Sequence, residues 1–124
     1  MADRTFRFGP TALTTSIANV LNGTVTSWAG PVGILPAMAG VYLNLRHVRI
    51  VNKTAGAVSF SMHLGATGAE AAGTEVIGSL LSVAAYSAFD WYGLMPMVAA
   101  DFLTAKASAN TSLTVEGEGA IAVI

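Results

Sequence analysis

Two runs of alternating side chains, joined by a turn, leave this chain little choice but antiparallel sheet. The first run, VYLNLRHVRIVN (41–52), places apolar residues at 41, 43 and 45 and then at 48 and 50. Successive strand residues face opposite sides, so the change of phase near Arg46 predicts a bulge or strong local twist. The second run, VSFSMHL (58–64), alternates without a break. Val58, Phe60, Met62 and Leu64 face one way, and Ser59, Ser61 and His63 the other. That pattern predicts a half-buried strand with its polar side in solvent. Between the runs, NKTAG (52–56) combines Asn, Thr and Gly, which favour tight turns.

The text continues as short strands. EVIGSLLSVAA (75–85) and YSAFDWYG (86–93) are compatible with strands, and VAADFLTAK (98–106) reads as a single helical turn or a connector. TSLTVEGEGAIAVI (111–124) closes the chain, with Leu113, Val115, Ile121 and Val123 on one face and Thr114, Glu116 and Glu118 on the other. Short strands at regular spacing with turn signals predict an all-β fold, an antiparallel β-sandwich of jelly-roll or Ig-like type, over residues 41–124. Residues 1–40 hold three of the four prolines and no sustained periodicity. TALTTSIANVL within them suits one strand or a short helix. The whole segment 1–40 reads as an extended N-terminal arm.

With 124 residues the chain is long enough for one core. Its surface is the unusual part. Only 10% of residues are charged and 53% are hydrophobic, against about a quarter charged in an average soluble domain. Such a chain either enters a membrane or covers much of its surface with protein. No charge lies between Arg7 and Arg46, and WAGPVGILPAMAGVYLNL (28–45) approaches spanning length. Pro31, Pro36, Gly30, Gly33 and Gly40 break any helix there, and lipid tolerates only satisfied backbone. The expectation is therefore no membrane span, and MADRTFRF shows no signal-peptide core. A net charge of −1 gives no field to attract nucleic acid. Zero cysteines exclude disulfides, thiolate nucleophiles and Cys-ligated zinc.

The one stretch with the spacing of a phosphate loop is GAEAAGTE (68–75). A phosphate loop needs Lys and then Ser or Thr after its second glycine; here Thr74 and Glu75 stand there, and Glu70 adds another negative charge. It reads as a small-residue loop. His47 and His63 have no further ligand at metal spacing, and no G-x-S-x-G elbow occurs. Glu116 and Glu118 share a face; they read as a solvated surface or as ion-pair partners of Arg46, Arg49 or Lys53. No catalytic, cofactor-binding or metal-binding residue is therefore assigned, and the chain reads as a non-enzyme. In FDWYGLM (89–95), Phe89, Trp91 and Tyr92 suit either a core or a binding platform. The sequons at Asn22, Asn52 and Asn110 reflect composition and turn preference.

HVRIVNKTAGAVSFSMHLGATG, then SVAAYSAFDWYG, then ADFLTAKASANTSLTVEGEG give residues 41–124 a texture that resembles the small β-sandwich virion proteins of tailed bacteriophages. The resemblance implies a non-enzymatic structural role in the virion, assembled in the host cytoplasm. Capsid decoration (cement) comes first and a tail or connector subunit next. The expected partners are the chain itself, as a homo-oligomer taken to be a trimer, and the phage major capsid protein. The apolar residues expected to make these contacts are Trp28, Ile34, Leu35 and Met38 in the arm, with Trp91 and Tyr92 on the sandwich. A rival function is a receptor-binding or carbohydrate-binding subunit that uses Trp91 and Tyr92, with Glu116 and Glu118 beside them.

Overall fold

The computed structural model describes residues 4–20, 41–65, 73–98 and 101–123. Among them there is no helix, only eight strands: β1 (Arg4–Ala12), β2 (Ala18–Asn19), β3 (Val41–Asn52), β4 (Val58–Gly65), β5 (Leu81–Val83), β6 (Ala88–Val98), β7 (Phe102–Ala107) and β8 (Leu113–Val123). They form two four-stranded antiparallel sheets, β1-β8-β3-β6 (sheet A) and β2-β7-β4-β5 (sheet B). The first strand pairs with the last, the second with the seventh, the third with the sixth and the fourth with the fifth. This nesting, with successive pairs alternating between sheets, is the eight-stranded jelly roll. It selects one of the two sandwich types that the sequence allows.

The inner faces follow the alternation. Leu43, Leu45, Val48 and Ile50 from β3 meet Phe60 and Met62 from β4, and Leu103, Leu113 and Val115 complete the layer, all fully buried. Phe60 of sheet B tilts against Phe89 of sheet A, with ring centroids 5.6 Å apart, a favoured aromatic geometry that ties the sheets together. The phase change at Arg46 is a bulge: the register to both neighbouring strands shifts between Leu45 and His47. Its effect is to turn two consecutive residues, Arg46 and His47, away from the core.

Three expectations are corrected. Residues 4–20 are not an arm outside the sandwich. β1 is an edge strand of sheet A and β2 of sheet B, and Phe8, Leu13 and Val20 are buried in the common core. Phe8 lies opposite Gly117, and its ring occupies the space that a Cβ at 117 would fill. The glycine of β8 is thus the seat of an aromatic side chain from β1. Residues 21–40, the rest of the expected arm, lie outside the described residues.

Second, the described part of VAADFLTAK is strand and not a helical turn: Phe102–Ala107 is β7. Leu103, Ala105 and Ala107 all point into the core, and pairing with β4 outweighs the helical preference of the alanines. Third, the polar side of β4 is not solvated. Ser61 is 5% exposed and His63 6%, because the segment returning from the glycine loop runs along β4. Thr74 and Gly78 carbonyls accept from Leu64 and Met62, and Val76 donates to Met62. Within that segment only Leu81–Val83 is a strand. Ile77 (φ 65°) and Leu80 (φ 53°) adopt left-handed backbone, and Gly78 N–H donates to Val76 carbonyl across Ile77 at 2.6 Å. That is the rare γ-turn with positive central φ, and it ends the extended pairing.

The turn after β3 forms where NKTAG predicts it. Asn52, 1% exposed, donates from Nδ2 to the Gly56 and Val83 carbonyls at 2.8 and 3.0 Å. Its Oδ1 accepts from Thr54 N–H and Thr54 Oγ1 at 2.9 and 2.7 Å. The residue therefore holds the turn closed and ties it to β5. The sheet edges are blunted as well: β2 and β5 have two and three residues, while β1 and β6 carry Pro10 and Pro96.

Candidate functional site

The outer face of sheet A holds the densest set of ionisable groups among the described residues. β3 supplies His47 and Arg49, β6 supplies Asp90 and Tyr92, and β8 supplies Glu116 and Glu118. The register pairs His47 with both Tyr92 and Glu118, and Arg49 with both Asp90 and Glu116. His47 Nε2 lies 2.8 Å from Asp90 Oδ1, and His47 Nδ1 lies 3.3 Å from Glu118 Oε1. Arg49 Nε donates to the same Asp90 Oδ1 at 2.8 Å. Tyr92 stacks on the His47 ring at 4.6 Å and 14°.

Both imidazole nitrogens thus face carboxylate oxygens. A neutral ring can donate only once and would turn a lone pair toward an anion, whereas the imidazolium donates twice. The Asp90 bond is the main reason that the His47 pKa is raised; burial opposes it and Glu118 reinforces it. The Asp90 carboxyl is held below its ordinary value first by Arg49 and then by His47. This is a set of charges paired on a sheet surface. No group of three His, Cys, Asp or Glu among the described residues is placed to hold a metal ion.

Of the sequence-derived contact residues, Trp28, Ile34, Leu35 and Met38 lie outside the described residues. Trp91 and Tyr92 take opposite sides of β6. Trp91 is half-buried against the core and folds over Gly93, while Tyr92 is 71% exposed. Glu116 and Glu118 share the outer face, and Glu118 is paired with His47, a partner the sequence reading did not name. His47 and Arg49 share a face by alternation, and the bulge before them turns that face outward, away from the side that Leu43 and Leu45 occupy.

Tyr92 has company. Leu80, Tyr86 and Leu94 are also largely exposed, so four of the five large apolar side chains exposed among the described residues fall between 80 and 94. Tyr92 and Leu94 lie on β6, an edge strand of sheet A, Tyr86 in the four-residue turn before it, and Leu80 just before β5, beside Ser61 on the outer side of sheet B. The glycine loop offers no phosphate cradle at its described end. Gly73 N–H already donates to the Glu75 carboxylate, at 3.0 and 3.2 Å. Residues 66–72 of that loop lie outside the described residues.

No family model matches the chain, and no curated protein matches it in sequence. Among solved structures it is similar to Eiger TNF from S. frugiperda, with a TM-score of 0.45 and 12% identity over 98% of this chain and 92% of that one. A pentameric capsid protein isolated from metagenomic phage sequences gives a TM-score of 0.33 and 16% identity over 97% of this chain and 60% of that one. A chain in the structure of infectious bursal disease virus, Gx strain, gives 0.30 and 7% over 96% and 28%. At identities of 16% and below, function has to be read from this chain's own strands and side chains.

Proposed function

We propose that this chain is a non-enzymatic structural protein of a bacteriophage virion, a decoration subunit that stabilises the head through contacts with its own copies and with the major capsid protein. The observation that carries the reading is the exposure of Tyr92 and Leu94, two residues apart on the edge strand β6 of sheet A, with Tyr86 exposed in the turn before it. Exposed apolar groups collected on one side mark an interaction surface, and tyrosine is favoured at the centre of such contacts. The jelly roll supports the reading by analogy of architecture, since capsid domains use it, as do lectins. In this reading Trp28, Ile34, Leu35 and Met38 add the arm contacts, Trp91 backs the flank from inside, Tyr92 contacts the partner, and the oligomer is a trimer.

Co-sedimentation with heads assembled from the major capsid protein of the same phage tests the proposal. The wild type is expected to pellet with the heads, and the double variant Tyr92→Glu, Leu94→Glu to remain in the supernatant with unchanged melting. A wild type that neither pellets nor self-associates would overturn it. A second reading, a tail, connector or receptor-binding subunit that binds carbohydrate, draws on the exposed Tyr92 ring beside Asp90, Glu118 and Arg49. A glycan array separates the two, because a decoration protein shows no sugar selectivity.

A further inference from the structure

The outer face of sheet B carries a pocket of about 280 Å³ lined by Thr15, Ser59, Phe60, Ser61, Leu80, Lys106, Ala107 and Ser108. Four hydroxyls and one ammonium face it, and among the described residues no carboxylate lines it, in a chain whose acidic residues outnumber its basic ones. The hydroxyls are committed in one direction. Ser61 Oγ accepts from Leu80 N–H at 2.9 Å, and Ser108 Oγ accepts from Ser59 N–H at 3.0 Å. Among the described residues none of the four hydroxyls donates to a protein acceptor. A hydroxyl that has accepted still has a proton to give. For Thr15 and Ser108, which are exposed, water takes it. Ser61, 5% exposed, lines the pocket, so its remaining donor is available to a group that enters there.

Lys106 stands directly across from Ser61 in the β4–β7 register, so the cation and the buried donor are neighbours on one face. Lys106 already has a partner in the fold, and an ammonium has three donors to distribute. Leu80, which supplies the backbone N–H to Ser61, is held at φ 53°. Left-handed backbone at a non-glycine residue is costly and is often kept where it shapes a site. We infer that this pocket binds a carboxylate, received by Lys106 and the Ser61, Ser59 and Ser108 hydroxyls, on a ligand about the size of one sugar or amino acid residue. Lys106 is the one cationic side chain among the described lining residues, which suits a singly charged carboxylate. The exposed Leu80 side chain supplies an apolar wall of the kind that small-molecule sites use. The inference goes beyond the virion reading and does not depend on it.

Backbone amide NMR titration of the full chain with sodium glucuronate, sodium acetate, glucose and inorganic phosphate tests it. Glucuronate is expected to give saturable shifts confined to residues 59–61, 80 and 106–108, with acetate shifting the same amides. Lys106→Met is expected to weaken glucuronate at least about tenfold, the loss of a charge-assisted bond, and Lys106→Arg to restore part of it. Acetate that binds as tightly as glucuronate would also support the site and point to the acidic side chain of a protein as the source. Glucose giving the same shifts, phosphate binding more tightly than either carboxylate, or a Lys106→Met variant with wild-type spectrum and undiminished affinity would each overturn it. The amide spectrum also reports whether each variant is folded.

Discussion

On sheet A the outward side chains of β3, β6 and β8 answer one another across the strands: His47 meets Asp90 and Glu118, and Arg49 meets Asp90. On sheet B the outward side chains of β4 answer a different kind of neighbour. Ser61 accepts from the backbone of Leu80, and Thr74 Oγ1 lies 3.4 Å from His63 Nδ1. The first face is built by register and keeps its charges near water. The second is built by a connection that folds back and takes polar groups out of water. Alternation fixes which side chains look inward on both sheets. What happens to those that look outward depends on the rest of the chain, and each experiment below tests one side of that contrast.

The largest effect should come from the two edge strands that precede residue 21. β1 belongs to sheet A and β2 to sheet B, so a deletion of residues 1–20 wounds both at once. It removes Phe8, Leu13 and Val20 from the core, each loss being of the order of 2–5 kcal/mol, against a total stability of about 5–15 kcal/mol for a domain. Circular dichroism should show no cooperative melting transition for the truncated chain. A sharp two-state melt would restore these residues to the status of an arm.

The next comparison takes two neighbours on β4. Phe60 is buried between the sheets and touches Phe89, so Phe60→Ala should cost roughly 3–5 kcal/mol. Ser61 faces the other way, and on a solvated face its loss would fall within about 0.5 kcal/mol. Because the Leu80 N–H would lose its acceptor, Ser61→Ala should instead cost about 1–3 kcal/mol. Urea titration of both variants checks the pair. A neutral Ser61→Ala would mean that the returning segment does not close over β4.

How much of this was legible in the sequence depended on how local the cause was. The β3 and β4 runs, the turn at NKTAG and the bulge at Arg46 follow from period and turn chemistry within a dozen residues. The final strand did too, at Leu113 and Val115. β1 was missed although Phe6 and Phe8 alternate with Arg7, because the Gly9–Pro10 break follows at once and the strand's partner is β8, more than a hundred residues away. β7 reads as a single helical turn or a connector because alanine favours helix until a neighbouring strand supplies ladder bonds. The burial of Ser61 and His63 had no sequence signal, since it goes with left-handed backbone at Ile77 and Leu80, bulky residues that rarely adopt it. On the candidate site, the pairing of His47 with Asp90 required knowing that β3 and β6 are neighbours. The exposure of Tyr92 required knowing that β6 is an edge.

The smallest effect, and the one that isolates the charged face of sheet A, is a dependence on pH. His47 has a raised pKa in the folded chain, chiefly through Asp90. A group whose folded pKa lies above its unfolded value binds its proton more tightly in the native state. Its stabilisation is therefore present in full below the ordinary imidazole value of 6.5 and is lost as pH rises through the folded value. Asp90 runs the other way. Its depressed carboxyl contributes above the ordinary value of 3.8 and ceases to do so as pH falls through the lower folded value. Both contributions coexist between those two ordinary values, so the face is best held together in mildly acidic solution. Melting temperatures of the wild type and His47→Gln, taken from about pH 5.5 to about pH 8.5, should differ by a few degrees at the acid end and converge at the alkaline end. In an Asp90→Asn background most of that pH-dependent difference should vanish, because the main source of the shift has been removed. If the His47→Gln difference instead stayed constant with pH, His47 would be acting through its stack with Tyr92 alone, and sheet A would owe its outer face to packing as sheet B does.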